Sequence, residues 1–240
     1  MSQSFQLVEE KLRESAFFLD RFRDSDPLGG EARFYFSAFV SAARSVTFVL
    51  QTTMRGVSDF DEWYLSAQKR LKTDPLARYF KDLRDEVVHK GPNSLSEVTV
   101  EHLDEVLRSQ LCGYPQVHTI IMPDLTTASS TVLADAVRVS ENYLKSLVTV
   151  VYECYSRFRC FVDPRWYFTP GHFAAMGKTF EDALSECGVP SSWATYAPDN
   201  NVRWRILRRQ QPPCLINDLF LEHLGKYIPD PDDERQVDTD

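Results

Sequence analysis

TVLADAVRVSENYLKSLVTVVYECYSRF, residues 131–158, is the stretch that decides the fold class. Val132, Ala136, Val139, Tyr143, Leu147, Val150 and Cys154 recur at spacings of three and four. That period places them on one face of a long helix, and a seam of this kind is what one helix presents to its neighbours in a bundle. Ser129 or Ser130 supplies a polar cap at its start.

The segments upstream repeat the pattern. Phe5, Val8, Leu12, Ser15, Leu19 and Phe22 predict an amphipathic helix over Phe5–Arg23, broken by Pro27, Gly29 and Gly30. Glu31–Met54 is apolar nearly all round, as expected of a central helix, and Ser37, Ala38, Ser41, Ala42 and Ser45 are small enough for another helix to approach. Its polar residues Arg44 and Gln51 are seven apart and share a face. A buried Arg requires a partner, so that face is expected to meet a polar site or a subunit interface. Asp59 reads as the N-cap of a third helix, Phe60–Leu71, and Asp74-Pro75 opens a fourth, Leu76–Lys90, with Gly91-Pro92 at its end. Leu76, Tyr79, Phe80, Leu83 and Val87 form the fourth helix's apolar stripe, leaving Arg84, Asp85 and His89 off it.

Between the fourth and the long helix the pattern weakens. Glu97–Val100 and Val117–Met122 read as short strands, with Glu101–Leu111 helical between them. After Asp163-Pro164 come short helices near His172–Cys187, Asn201–Gln210 and Leu215–Tyr227. The expected architecture is mainly α: a four- or five-helix up-down bundle over residues 1–162 with a small β-containing insertion at about 93–128. A helical C-terminal extension at 163–228 and an acidic, disordered tail at 229–240 follow.

The 240 residues carry a net charge of −8, which argues at first sight against a nucleic-acid partner. The tail from Pro229 holds six acids and one base, so most of the excess is local, and the rest of the chain is close to balanced. An RNA substrate is therefore compatible with the composition, provided its site is small. Five cysteines at irregular spacing include no CxxC pair, and His102, His118, His172 and His223 fall at no metal-ligand spacing, so neither metal nor cofactor is expected. Free thiols, a charged N-terminus and the lack of an apolar run of membrane-spanning length make the cytoplasm the expected location and exclude a membrane partner.

Two clusters could carry chemistry. The fourth helix reads PLARYFKDLRDEVVHKG, in which Arg84 is followed by Asp85 and, after four intervening residues, by His89. The second cluster, NVRWRILRRQ, holds Arg203, Trp204, Arg205, Arg208 and Arg209. It could contact RNA through phosphate pairing and stacking. A basic surface helix neutralised by the acidic tail is the preferred account of it. Trp63-Tyr64 and Trp166-Tyr167 read as core or interface aromatics.

The first cluster resembles the HEPN superfamily, whose signature is an Arg, four to six residues, then a His, often with a polar residue beside the Arg, on a late helix of a helical bundle. The weight rests on context: a well-started helix, Asp85 in place, a helix end just beyond His89, and an apolar helix before it. Arg165 and His172, with six residues between them, also fit the signature, but Pro170-Gly171 between them breaks a helix. The resemblance covers roughly residues 1–160. It implies a metal-independent endoribonuclease acting as a homodimer, leaving 2′,3′-cyclic phosphate ends, in the manner of a toxin or defence effector with an antitoxin or regulatory partner. In that reading His89 is general acid or base at the 2′-hydroxyl and Arg84 stabilises the phosphate charge, with Asp85, Arg44 and Gln51 in support. The alternatives are a non-catalytic HEPN-like module that binds protein or nucleotide, and a helical structural protein without that ancestry.

Overall fold

The computed structural model describes residues 5–26, 30–90, 96–99, 118–123, 133–195 and 199–233. The chain is mainly helical. Its long helices are α1 (Gln6–Asp24), α2 (Glu31–Thr53), α3 (Phe60–Thr73), α4 (Pro75–Lys90) and α5 (Ala136–Val162). Three short strands, Ser96–Thr99, His118–Pro123 and Leu133–Asp135, pair antiparallel in chain order. The remainder of the expected insertion at 93–128, including the helix read at Glu101–Leu111, lies outside the described residues, as do Cys112 and the cap candidates Ser129 and Ser130. The last strand runs directly into α5, so the long helix begins at Ala136 rather than near Thr131.

The apolar stripes meet in one core. Val8, Leu12, Leu19 and Phe22 of α1 are buried together with Phe36, Phe39, Val46 and Leu50 of α2, Phe80 and Leu83 of α4, and Tyr143, Leu147, Val151 and Cys154 of α5. Aromatic rings stitch the helices to one another. Phe22 lies 5.2 Å from Phe36, Phe39 meets Phe80 edge-on at 5.9 Å, and Phe80 stacks on Tyr143 at 4.2 Å with planes 1° apart. Phe158 of α5 takes Phe60 and Trp63 of α3 at 5.9 and 5.8 Å. Phe80 has no exposed surface and touches rings from two other helices, so Phe80→Ala is expected to cost about 3–5 kcal/mol, through lost transfer energy and an unfilled cavity. Urea unfolding followed by circular dichroism measures it.

Two local expectations change. Asp59 precedes α3 but sits at φ 62°, in the left-handed region, and its side chain accepts no capping hydrogen bond. Its chain reversal is what starts the helix there. α2 is apolar nearly all round but not buried all round, since Phe34 is 70% exposed and Phe48 52% exposed. By contrast the Asp74 carboxylate accepts from the Leu76 amide at 3.0 Å, with Pro75 in the first turn, which is how a proline opens a helix without losing a needed donor.

The C-terminal third builds a second, smaller core and then returns to the first. Four short helices, α6 (Pro164–Tyr167), α7 (Pro170–Ala175), α8 (Phe180–Glu186) and α9 (Asn200–Arg209), bury Tyr167, Phe168, Phe173, Phe180, Leu184, Trp204 and Leu207 against one another. The stretch 172–187 is two helices rather than one, because Gly177 takes φ 69° and Thr179 starts α8 with a capping box to Asp182. α10 (Ile216–Leu224) leaves this group, and its Ile216, Leu219 and Phe220 enter the main core beside Tyr152 and Tyr155 of α5. The extension expected at 163–228 is thus divided between two cores.

The residues expected to begin a frayed tail are tied down instead. The Ile228 amide and carbonyl bond the Asn217 side chain at 3.1 and 2.8 Å. Asp230 pairs with Arg165 at 2.5 Å, and Asp232 accepts the Arg208 guanidinium at two atoms. Residues 234–240 lie outside the described residues. At the α5–α6 junction Asp163, 5% exposed, caps α6 through the Arg165 amide and accepts from the Tyr155 hydroxyl. Burial holds its carboxyl above the usual range despite those bonds.

His172 makes the second core sensitive to acid. Its ring lies 5.4 Å from Phe161 and 5.1 Å from Tyr167, and its Nε2 is buried without a partner among the described residues. Burial, then the nearby Lys178, lowers its pKa from the ordinary 6.5, with Glu186 opposing. The unfolded chain therefore takes up the proton first as pH falls. Stability contributed here is complete above about pH 6.5 and is lost as pH drops through the folded value. His172→Gln is expected to flatten the melting temperature between pH 7 and pH 5 relative to wild type.

A cationic pocket between three helices

α2, α3 and α4 diverge around a pocket of about 560 Å³, closed at its base by α5. The volume is that of a small-molecule site. Its floor is apolar, made by Phe48, Leu71, Ala77, Tyr143 and Leu147. At one end the Gln51 amide donates to the Tyr64 hydroxyl at 2.7 Å, and that hydroxyl donates to the Thr47 carbonyl at 3.3 Å. Four cations also line it: Arg44, Lys72, Arg78 and Lys81.

Each cation is placed by its helix. Arg44, half-buried on α2, donates to the Thr47 hydroxyl at 2.7 Å and lays its guanidinium 4.5 Å over the Phe48 ring. No carboxylate pairs with Arg44, Lys72 or Arg78 among the described residues, while Lys81 meets the exposed Asp82 at 3.1 Å. Burial pushes the Tyr143 hydroxyl up to about 12, with Arg44 lowering it and Asp74 raising it, so at neutral pH it is an uncharged donor. Net charge in the pocket is positive, and the field is concentrated by apolar walls.

The HEPN-type residues stand on the same helix, further along. Arg84 is 42% exposed, and Asp85 meets it at 3.2 Å. Arg84 stands three positions on from Lys81, so the two are neighbours on the helix surface. His89 lies in the last turn of α4, and its side chain lies outside the described residues. Arg44 and Gln51, two helical turns apart, are both brought to the pocket. Arg84, Asp85 and His89 do not line it.

The basic helix is corrected as an RNA platform at two of its five positions. Trp204 is 4% exposed, packed 5.2 Å from Phe173 and 5.0 Å from Phe180, so it has no free face on which to stack a base. Arg208 is 7% exposed and consumed by Asp232 and the Phe168 carbonyl. Arg205 and Arg209 are exposed and Arg203 half-buried. Tyr64 and Tyr167 are core residues. Lys72, Arg78, Lys81 and Gln68 escaped sequence reasoning because each alone is an ordinary polar position. The usable signal was the short Asp74-Pro75 turn, which folds α3 back against α4 and brings the end of one beside the start of the next.

Among the described residues no group of His, Cys, Asp and Glu could hold a metal ion, and no helix is long and apolar enough to cross a membrane. Cys154 is buried, and Cys160, Cys187 and Cys214 are half-buried free thiols whose ionisation burial disfavours.

Fold and pocket together define a mainly helical protein with a positively charged pocket between its helices. Residues 26–149 match the family model described as bacteriophage lambda protein ea47, and the chain belongs to that family. The match takes in every residue lining the pocket, together with Arg84 and His89, and leaves out the helix from Asn200 to Arg209. Comparison with curated proteins and with solved structures found no match.

Proposed function

We propose that the chain is a HEPN-like, metal-independent endoribonuclease that works as a dimer, with Arg84 and His89 as its catalytic pair. In this reading the fold is an up-down bundle of four or five helices, carrying a small strand-containing insertion and a helical C-terminal extension. A toxin or defence role, with an antitoxin or regulatory partner, belongs to the same reading. The observation that carries it is the position of the motif on α4: Arg84 is half-exposed, pairs among the described residues with its neighbour Asp85, and follows Arg78 and Lys81 along one helix. Arg78, Lys81 and Arg84 form a cationic track along which a phosphodiester chain can lie, with Arg84 offering a planar fork to one phosphate. His89 falls in the last turn of the same helix and is the residue type that can give or take a proton at the 2′-hydroxyl. The test is cleavage of a mixed RNA pool by the full-length protein in the presence of a chelator, with end-group analysis for the 2′,3′-cyclic phosphate. An absence of cleavage by pure, dimeric protein overturns the reading.

A second reading is a non-catalytic HEPN-like module that binds protein or nucleotide. The observation that favours it is the separation of the pocket from the motif: Arg44 and Gln51 line the former and Arg84 does not.

A further inference from the structure

We infer that the pocket between α2, α3 and α4 binds a small organic acid, a monocarboxylate on an acyl or aryl body, held by the Arg44 guanidinium and the Tyr143 hydroxyl. The inference does not rest on RNA cleavage at Arg84 and His89, which stand outside the pocket.

Most polar groups around the pocket are already engaged with one another. The Gln51 amide donates to the Tyr64 hydroxyl, and that hydroxyl to the Thr47 carbonyl. The Asp74 carboxylate accepts from the Leu76 amide at the start of α4, and Lys81 meets Asp82. Two groups from different helices keep unused capacity. Arg44 gives one guanidinium nitrogen to the Thr47 hydroxyl and lies over the Phe48 ring, and no carboxylate pairs with it among the described residues. A guanidinium has N–H donors on every nitrogen, so most of the fork remains for a ligand. Tyr143 of α5 is 3% exposed and lines the pocket, yet its hydroxyl has no hydrogen-bond partner among the described residues. Its ring lies flat against Phe80, which fixes the direction of that hydroxyl. A buried hydroxyl without a partner is costly, and native interiors leave few of them. Its proton is in place at neutral pH, since burial pushes its pKa up to about 12, and the Arg44 charge acts on it in the opposite sense. Cation and hydroxyl thus face a common space.

Charge and shape select the ligand. In a half-buried site one fixed cation is matched by one negative charge, and a second negative charge would be desolvated without a partner. Lys72, Arg78 and Lys81 are exposed, so water already screens them. The inner pair therefore suits a monoanion better than a phosphate dianion. A carboxylate takes the planar fork of Arg44 through both oxygens and keeps a lone pair for the Tyr143 proton. Beyond that pair the wall is apolar, made by Leu71, Ala77 and Leu147. An apolar body covering them gains burial energy that a bare anion does not, and about 560 Å³ is within the range of pockets that enclose such ligands. Lys72 and Arg78, on the same pocket, raise the local concentration of anions.

The experiment is titration calorimetry of the full-length protein with octanoate and 4-phenylbutyrate, each beside its uncharged primary amide, and with acetate, octyl phosphate and AMP. Saturable binding of at least one of the two acids, about tenfold or more tighter than its amide and than acetate, is expected. The tighter of the two distinguishes an acyl from an aryl body. Arg44→Gln should abolish the preference for acid over amide, and Tyr143→Phe should weaken acid binding about fivefold or more. Tyr143→Phe removes a hydroxyl that bonds no other described residue and keeps the ring stacked on Phe80, so it should not lower the unfolding midpoint, and it keeps the test valid if Arg44→Gln fails to fold. Equal affinity for acid and amide, no binding of either acid at millimolar concentration, octyl phosphate or AMP bound more tightly than both acids, or undiminished acid binding by Tyr143→Phe overturns the inference.

Discussion

Arg208→Ala is expected to destabilise the protein by about 3–5 kcal/mol, more than the loss of any surface ion pair in the chain. The side chain is 8% exposed and its partner Asp232 13% exposed. Nε donates to Asp232 Oδ2 at 3.1 Å, Nη2 to the other oxygen, and Nη1 to the Phe168 carbonyl at 3.3 Å. Removing the guanidinium strands a carboxylate and a carbonyl in a site with little water, and the desolvation penalty of those groups is then unopposed. It also loosens the strap 228–233, which the Asn217 and Arg165 bonds help to hold. The exposed pairs give the contrast. Breaking Arg23–Glu141 or Arg70–Glu153 on the bundle surface is expected to change stability by less than about 1 kcal/mol. Replacing both members, as Arg208→Met with Asp232→Leu, removes the stranded charge, and most of the stability should return. Urea titrations of wild type and these variants, compared at constant slope, measure all these differences.

The same residue shows where sequence reading stops. Helix periodicity made α1, α4 and α5 legible, because their stripes are long and their buried residues are mostly apolar: Val8, Leu12 and Leu19, then Phe80 and Leu83, then Tyr143 and Leu147. On α9 the period was equally readable but the residue types misled. Trp204, Leu207 and Arg208 fall at i, i+3 and i+4 and share the inward face, so the Arg belongs to the core and not to the basic surface. What the sequence does not display is Asp232, 24 residues away, which makes that burial tolerable. Asp59 failed for a related reason: residue type alone suggests a capping carboxylate, while a left-handed backbone turns the side chain away. The pocket was half visible. Arg44 and Gln51 marked a polar face on an apolar helix, but Tyr64, Lys72 and Arg78 join them only through tertiary folding of α3 and α4, of which the Asp74-Pro75 turn was the local sign.

The proposed catalytic pair makes the largest demand on function. With RNA cleavage as the readout, His89→Ala is expected to reduce kcat by roughly 10²- to 10⁴-fold, the usual range for loss of a general acid or base. Arg84→Ala should cost roughly 10²- to 10³-fold, as for other charge-stabilising donors. Arg84→Lys should recover part of this, because charge is kept while the two-pronged contact to phosphate is lost. Arg84 is exposed and its pair with Asp85 joins adjacent residues on one helix, so none of its variants should shift the unfolding midpoint appreciably. A fall in activity without a fall in stability is therefore the signature that separates catalysis from scaffolding. If His89 cycles between acid and base, the pH–rate profile should be bell-shaped, and His89→Ala should remove one limb of it. Equal rates for wild type, Arg84→Ala and His89→Ala would remove the motif from the reaction altogether. The pocket would then stand as the functional site, and the non-catalytic reading would take the place of the nuclease.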